Sequence, residues 1–337
     1  MIGGIKPAAL IAVPMFIFAA DIMTRGNSAN RLLDLVTAFV GHLRGGLPIA
    51  SAISCTLFGA MSGSTQATVV AIGGPLRPQL LKAGYSDSFT TALIINASDI
   101  ALLIPPSIGM IVYGVVSGTS IGEMFIAGIG PGLLVLLMFC IYCWVASIRM
   151  QIPRQPKADH AQRRSAIQRA LLPLGFPLII SPTEAAAISV LYAGILEIVC
   201  FRDLSLKDIP DIALSTGLVT AVVFILVGAG AGFSWVISFA QLPDALINNW
   251  LGLTPDSGYW TIMLTIAVAY FIGCMFVDPI VVILILTPIF HPVAAAAGID
   301  PVLGGIVVTF IAILLFAGVL LIAFPGISLF LRDLAFN

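Results

Sequence analysis

Between Asp208 and Leu331 the chain carries no lysine and no arginine, and the only acidic residues are scattered aspartates. So long a stretch without a cation cannot be surfaced against water, and hydrocarbon is the solvent it suits. The rest of the chain follows suit: 9% of the 337 residues are charged and 59% are hydrophobic. An ordinary soluble domain carries roughly 25% charged residues. This excludes a water-soluble globule, a disordered chain, a collagen, a coiled coil and a disulfide scaffold. A net charge of −1 leaves no basic surface for nucleic acid. The apolar runs are long and contain glycine and proline without alternation, which suits membrane helices better than barrel strands. The chain reads as an all-α polytopic membrane protein.

Apolar helices are expected at residues 8–23, 47–60, 65–82, 88–117, 121–148, 211–232, 259–275, 279–297 and 301–323. Lys6 and the run after it imitate a signal peptide, but Phe18-Ala19-Ala20 is a poor cleavage site, so a retained helix is expected. Residues 27–43 and 241–252 are amphipathic and fit helices lying in the interface. Residues 149–169 form a polar linker with six of the fifteen Lys and Arg, expected on the cytoplasmic side. Residues 170–201 follow it, and Thr183-Glu184 reads as a helix start. The pair Cys140 and Cys143 lies on an apolar run with no second pair, so packing rather than zinc or redox chemistry is expected.

Shifting the chain by 214 residues reveals an internal repeat. Gly59 falls on Gly273, Met61 on Met275, Pro78 on Pro292 and Gly84 on Gly298. Each copy runs from an amphipathic piece through a helical hairpin to a broken helix. Residues 1–148 hold the first copy (hairpin 47–82, broken helix 88–117). Residues 170–337 hold the second (hairpin 259–297, broken helix 301–330). Arg44, Arg77 and Lys82 flank the first hairpin, whereas Asp256 and Asp300 flank the second. By the positive-inside rule the two hairpins open to opposite sides, so the repeats are inverted. Inverted repeats with re-entrant hairpins and broken helices are the architecture of secondary transporters.

Within that frame a few polar groups stand out. Ser62, Gly63 and Ser64 form the tip of the first hairpin, where irregular backbone is tolerated only in protein or beside a cavity. Their hydroxyls, with helix-end carbonyls, offer the oxygens a hard cation requires. Asn96, Ser98 and Asp99 precede Pro105, Pro106 and Ser107 on the first broken helix. The prolines remove two backbone donors, and Asp99 is a carboxylate in an apolar run. Asp278 is the second tip's counterpart of Ser64 and fits a second cation site. The sodium candidates are therefore Ser62, Ser64, Ser98 and Asp278. With no Lys or Arg deep in a span, an anionic substrate would be held by helix N-termini, hydroxyls and co-bound cations. A rival class is an intramembrane hydrolase, with Ser62 as nucleophile and His291 as base, or with Asp99 and Asp278 as an acid pair. A channel is a third class.

Several motifs occur in order: Gly41-His42-Leu43-Arg44-Gly45-Gly46-Leu47, Phe58-Gly59-Ala60-Met61-Ser62-Gly63-Ser64, Ile104-Pro105-Pro106-Ser107, Ser181-Pro182-Thr183-Glu184-Ala185-Ala186-Ala187, and Leu284-Ile285-Leu286-Thr287-Pro288-Ile289. Together they closely resemble the large membrane subunit of TRAP transporters, the DctM-like family, from about residue 8 to 310. The resemblance implies a multi-pass inner-membrane carrier with an elevator-type ion transporter fold, not an enzyme. It implies no cofactor, with sodium as the coupling ion, and uptake of an organic acid such as a C4-dicarboxylate or sialic acid. A periplasmic substrate-binding protein and a small four-helix membrane subunit are the implied partners. The resemblance assigns Ser62, Gly63, Ser64, Ser98, Pro105, Pro106 and Ser107 to one sodium site and Asp278 to a second. Compared with the family pattern, the chain reads as truncated at both ends. The segment 170–180 spans about 16 Å as a helix, too short to cross about 30 Å of hydrocarbon. A truncated or diverged, inactive relative is the alternative expectation.

Overall fold

The computed structural model of the chain describes residues 7–175, 184–240, 258–277 and 279–311. The second amphipathic piece, Asp278 and most of the second broken helix lie outside the described residues. Among the described residues every regular element is helical. Among the described residues, three helices are long and apolar enough to cross a membrane, at Ile121–Arg149, Ile209–Phe233 and Pro279–Ala296.

Two compact units divide the chain, and they interleave along the sequence. One comprises Ile11–Ser107 and Gly132–Gly217; the other comprises Met1–Leu10, Ile108–Pro131 and Leu218–Asn337. The first begins with most of α1 (Pro7–Arg25), then α2 (Ser28–Val40), α3 (Gly46–Ser62), α4 (Thr65–Lys82) and α5 (Asp87–Ser98). A 3-10 turn, Asp99–Leu102, extends α5 and ends before Pro105-Pro106. The expected helix over 88–117 is thus broken where the prolines withdraw two N–H donors. It resumes as α6 (Ile108–Ser117).

Local sequence explains the ends of these helices. Gly63 closes α3 at φ 59°, with its N–H donating to Gly59 O at 2.8 Å. This left-handed cap suits glycine because it carries no Cβ. Ser64 opens α4 by accepting from the Ala67 N–H at 3.4 Å, and Ser86 opens α5 by accepting from the Phe89 N–H at 3.3 Å. On α2, Leu32, Leu33 and Val36 are buried against α3 and α4, and Phe39 is exposed. Leu32 and Leu33 join Ile72, Leu76, Leu80, Leu93 and Ile94 in one apolar core.

Beyond α7 (Ile121–Arg149), the polar linker is not a plain loop. Its second half begins α8 (His160–Gly175), which packs on α2 through buried Ala166 and Ala170. Asp159 starts that helix by accepting from the His160 N–H at 2.7 Å. Small buried residues leave little hydropathy signal, which is why the sequence pattern suggested a linker. Farther on, α9 (Glu184–Gly194) runs into a π-helical turn, Ile195–Cys200.

That turn carries Glu197, whose side chain is fully buried. Its carboxylate accepts from the Ser28 hydroxyl and from the Asn27 N–H at 3.3 Å. It therefore caps the N-terminus of α2, whose own Asn27 makes no side-chain cap. Arg31 bonds Asp203 at 2.7 Å and lies 3.5 Å over the Phe201 ring. Helix α2 is thus fixed at its start by an ionic cluster around the buried Glu197 and along its length by apolar contacts.

The second unit contains α6, the later part of α10 (Ile209–Phe239), α11 (Tyr259–Phe276), α12 (Pro279–Ala296) and α13 (Pro301–Ile311). Here α6 packs against α12 and α13. Gly305 admits the Tyr113 ring, since a Cβ there would lie 2.6 Å from both Tyr113 Cδ1 and Met124 Cε. Asp300 caps α13 through the Val302 N–H at 2.8 Å. Along α7, Leu133, Leu137 and Ile141 face outward, as do Leu214, Leu218, Val222 and Ile225 along α10. Such outward apolar rows suit lipid contact rather than water.

Candidate functional site: the tip of the first hairpin

The tip joins a helix C-terminus to a helix N-terminus. α3 ends at Ser62, α4 starts at Thr65, and Gly63 and Ser64 turn between them. The carbonyl end of α3 carries partial negative charge, and the amide end of α4 partial positive charge. Two ions of opposite sign could each be favoured within a few ångströms.

Hydroxyls crowd the inner side of the turn. Ser62 is buried, and its Oγ lies 3.1 Å from Thr68 Oγ1 and 3.3 Å from Ser64 O. The Thr68 hydroxyl donates to Ser64 O at 2.8 Å. Ser64 Oγ donates to Gln66 Oε1 at 3.1 Å while capping α4. Ser62 Oγ, Ser64 O and Thr68 Oγ1 thus form a compact set of hard oxygen donors.

The broken helix closes over this turn. A Cβ on Gly63 would lie 3.0 Å from the Pro106 carbonyl carbon and 3.4 Å from Ser107 Cα, and would overlap the Pro106 oxygen. Gly63 is therefore required twice, for its positive φ and for the close approach of Pro106. Four residues earlier a Cβ on Gly59 would lie 2.6 Å from Ala101 Cα. The pair lets the 3-10 turn seat against α3. Asp99, half-buried at the start of that turn, faces the Thr65 side chain.

The structure thus gathers Ser62, Gly63, Ser64, Asp99, Pro106 and Ser107 at one place, with Pro105 joined to Pro106. Ser98 sits differently: its hydroxyl donates to Ile94 O at 2.8 Å and lies 3.6 Å from Cys55 Sγ, on the α3–α5 contact. Asn96 is exposed and turns its amide back onto Ala92 O at 2.7 Å. Asp278 lies outside the described residues. Thr65 and Thr68 were missed in the sequence, although a serine and threonine four apart, Ser64 and Thr68, place two oxygens on one helix face.

In the other unit, Tyr270 Oη and Thr287 Oγ1 are 2.8 Å apart, and Tyr113 Oη is 3.4 Å from His291 Nδ1. These four residues border a small gap of about 20 Å³, room for one water. The hydrogen bonds of Ser62 are with Thr68 and Ser64, and none of its described partners is an imidazole.

Comparison with known proteins gives one family. The model of the "Tripartite ATP-independent periplasmic transporter, DctM component" matches residues 1–318. The ectoine TRAP transporter large permease protein TeaC of Halomonas elongata is 57% identical over an alignment of 382 positions, covering 100% of this chain and 89% of that protein. The ectoine/5-hydroxyectoine large permease UehC of Ruegeria pomeroyi is 56% identical with the same coverage. The C4-dicarboxylate large permease DctM of Pseudomonas aeruginosa is 36% identical over 310 residues, with 88% of this chain and 71% of that protein covered.

Proposed function

Because this chain belongs to the DctM family of TRAP transporter permeases, an integral inner-membrane family, we propose that it is the large subunit of a sodium-coupled importer of ectoine-type solutes. The observation that carries the substrate is the gap in identity. Two ectoine permeases stand at 57% and 56%, whereas a C4-dicarboxylate permease stands at 36% and a sialic acid permease at 34%. The organic acid expected from the sequence is thereby narrowed to a small ring bearing both a carboxylate and an amidinium. Such a zwitterion brings its own cation, which accords with a second half free of Lys and Arg from Asp208 to Leu331.

The first hairpin tip supplies the coupling-ion site. Ser62 Oγ, Ser64 O and Thr68 Oγ1 provide neutral oxygens, the C-terminus of α3 adds partial negative charge, and Asp99 adds a carboxylate nearby. Sodium accepts such oxygen ligands. Inward movement of one positive charge gains about 2.3 kcal/mol per 100 mV of membrane potential, enough to drive accumulation. A substrate-binding protein and a small membrane subunit complete the assembly.

The test is uptake of labelled ectoine into proteoliposomes that hold the chain with its cognate small subunit and binding protein, under a sodium gradient. Uptake suppressed by unlabelled ectoine, with malate and sialic acid ineffective, supports the reading. Uptake suppressed by malate alone returns the substrate to the dicarboxylates.

A second reading rests on one specific observation. The alignment with TeaC runs over 382 positions and takes in this whole chain of 337 residues, so at least 45 positions face no residue here. That total exceeds the roughly 20 residues of a membrane crossing. The segment 170–180, about 16 Å as a helix, is too short for one. On this reading the chain is a diverged relative that no longer transports, and absence of any uptake in the same assay favours it.

A further inference from the structure

We propose that Gln66 and Asp99 are the side chains that select a zwitterionic ring at the first hairpin tip, Asp99 accepting from its amidinium and Gln66 donating to its carboxylate. The inference deepens the ectoine reading and rests on it.

The tip has two layers. Ser62 and Thr68 are buried, and their hydroxyls turn to each other and to Ser64 O. Those neutral oxygens belong to the coupling ion. Ser64, Thr65 and Asp99 are half-buried, and Gln66 is exposed. A solute reaching the tip meets this outer layer first. Asp99 faces the Thr65 side chain from the 3-10 turn, and Gln66 is the next residue along α4. Acceptor and donor therefore lie close together, as the two charged ends of a small ring require.

Three observations point to such a ligand. The first is charge. No lysine or arginine occurs between Arg44 and Arg77 or between Lys82 and Arg149. Arg77 is engaged by Asp87 at 2.8 Å, and among the described residues Asp99 enters no ion pair. A half-buried carboxylate in an apolar run calls for a cation from outside the chain. The second is a preset donor. Gln66 Oε1 accepts from Ser64 Oγ at 3.1 Å, and Ser64 is itself held as the cap of α4. With its oxygen taken, the exposed amide of Gln66 presents its NH2 group outward as a donor. A side chain ordered in advance loses little entropy when it binds. The third is the match of the pair. One anionic acceptor beside one neutral donor complements a ring with one cation and one anion. A second sodium would satisfy Asp99 but would give the Gln66 donor nothing to bind. A dicarboxylate would set another anion against Asp99, a repulsion that rejects it.

Thermal stabilisation of the full-length chain, purified with its small subunit in detergent at saturating sodium, reads the affinity for each probe. The probes are ectoine, its methyl ester (amidinium without carboxylate) and pyroglutamate (carboxylate with a neutral amide). Wild type should hold ectoine most tightly. Asp99→Asn keeps the shape and removes the charge. It should weaken ectoine and the ester about tenfold or more and leave pyroglutamate unchanged. Gln66→Met, similar in length but without donors, should weaken ectoine and pyroglutamate several-fold and leave the ester unchanged. Gln66 is exposed, so this variant decides the matter if Asp99→Asn misfolds. Gln79→Met, which removes an exposed amide farther along α4, should change none of the three. If ectoine does not stabilise wild type, the ectoine reading falls and this inference with it. If ectoine stabilises wild type and both variants equally, this inference alone is overturned. It is also overturned if Asp99→Asn shifts only the sodium dependence and keeps the wild-type preference for ectoine over pyroglutamate, which assigns the carboxylate to the ion.

Discussion

Replacing Gly63 by alanine asks two separate things of the hairpin tip. The residue sits at φ 59°, where an L side chain costs about 1–2 kcal/mol. The new Cβ would also lie 3.0 Å from the Pro106 carbonyl carbon and overlap its oxygen. Backbone cannot rotate out of the way as a side chain can, so a further ~1–3 kcal/mol of overpacking follows. The tip should lose about 2–5 kcal/mol of local stability. Gly118 provides the control, because it sits at φ 74° and a Cβ added there would meet nothing within 4 Å. Gly118→Ala should cost only the ~1–2 kcal/mol of backbone strain. Amide hydrogen exchange in the protected peptides around each site reads these differences directly. At 1.4 kcal/mol per tenfold, exchange around Gly63 should accelerate by roughly thirtyfold to several thousandfold. If Gly63→Ala accelerates exchange no more than Gly118→Ala does, Pro106 does not close over the tip and the site geometry fails.

Other perturbations probe the supports of the site. Glu197→Gln leaves Asn27, Ser28 and Arg31 facing an amide in place of a buried carboxylate, and should lower stability by about 1–3 kcal/mol. Asp203→Asn, on the more exposed partner of Arg31, should cost less than about 1 kcal/mol, as for a surface pair; thermal unfolding in detergent compares the two, and equal effects would show that burial of Glu197 is not what matters. Gly305→Val drives a branched side chain into Tyr113 and Met124 and should destabilise the second unit by about 1–3 kcal/mol, read by the same unfolding assay. Reporters fused after Lys82 and after Asp300 should localise to opposite faces of the membrane, and the same face for both would sink the inverted arrangement.

The helices of the first unit were legible because their signals are local. Apolar runs mark α3 and α4, serine caps mark α4 and α5, and Pro105-Pro106 marks the break. The tip was legible for a related reason, since Ser62-Gly63-Ser64 interrupts an apolar pattern where no interruption is free. What was hidden depends on distant partners. Ser98 looked like an ion ligand by its place near the break, but its hydroxyl is taken up by Ile94 O and Cys55. Asn96 looked inward by sequence position and proves to be exposed, because neighbours two apart on a helix point in different directions. Glu197 was overlooked although a lone carboxylate in an apolar run signals a partner; its partners are some 170 residues away, as the separation from Asn27 shows. The helix α8 escaped because alanines, not large apolar side chains, form its buried face.

Transport by this chain turns on whether the first hairpin tip couples solute uptake to sodium. The initial rate of ectoine uptake against external sodium decides it, in proteoliposomes with the complete transporter, for wild type and for a Ser62→Ala, Thr68→Val variant. Wild type should show a steep rise with sodium. The half-saturating concentration should be about tenfold or more higher in the variant, since two hydroxyls at ~1 kcal/mol each are lost. A rate independent of sodium in wild type, or the same sodium dependence in both proteins, would contradict coupling at this tip.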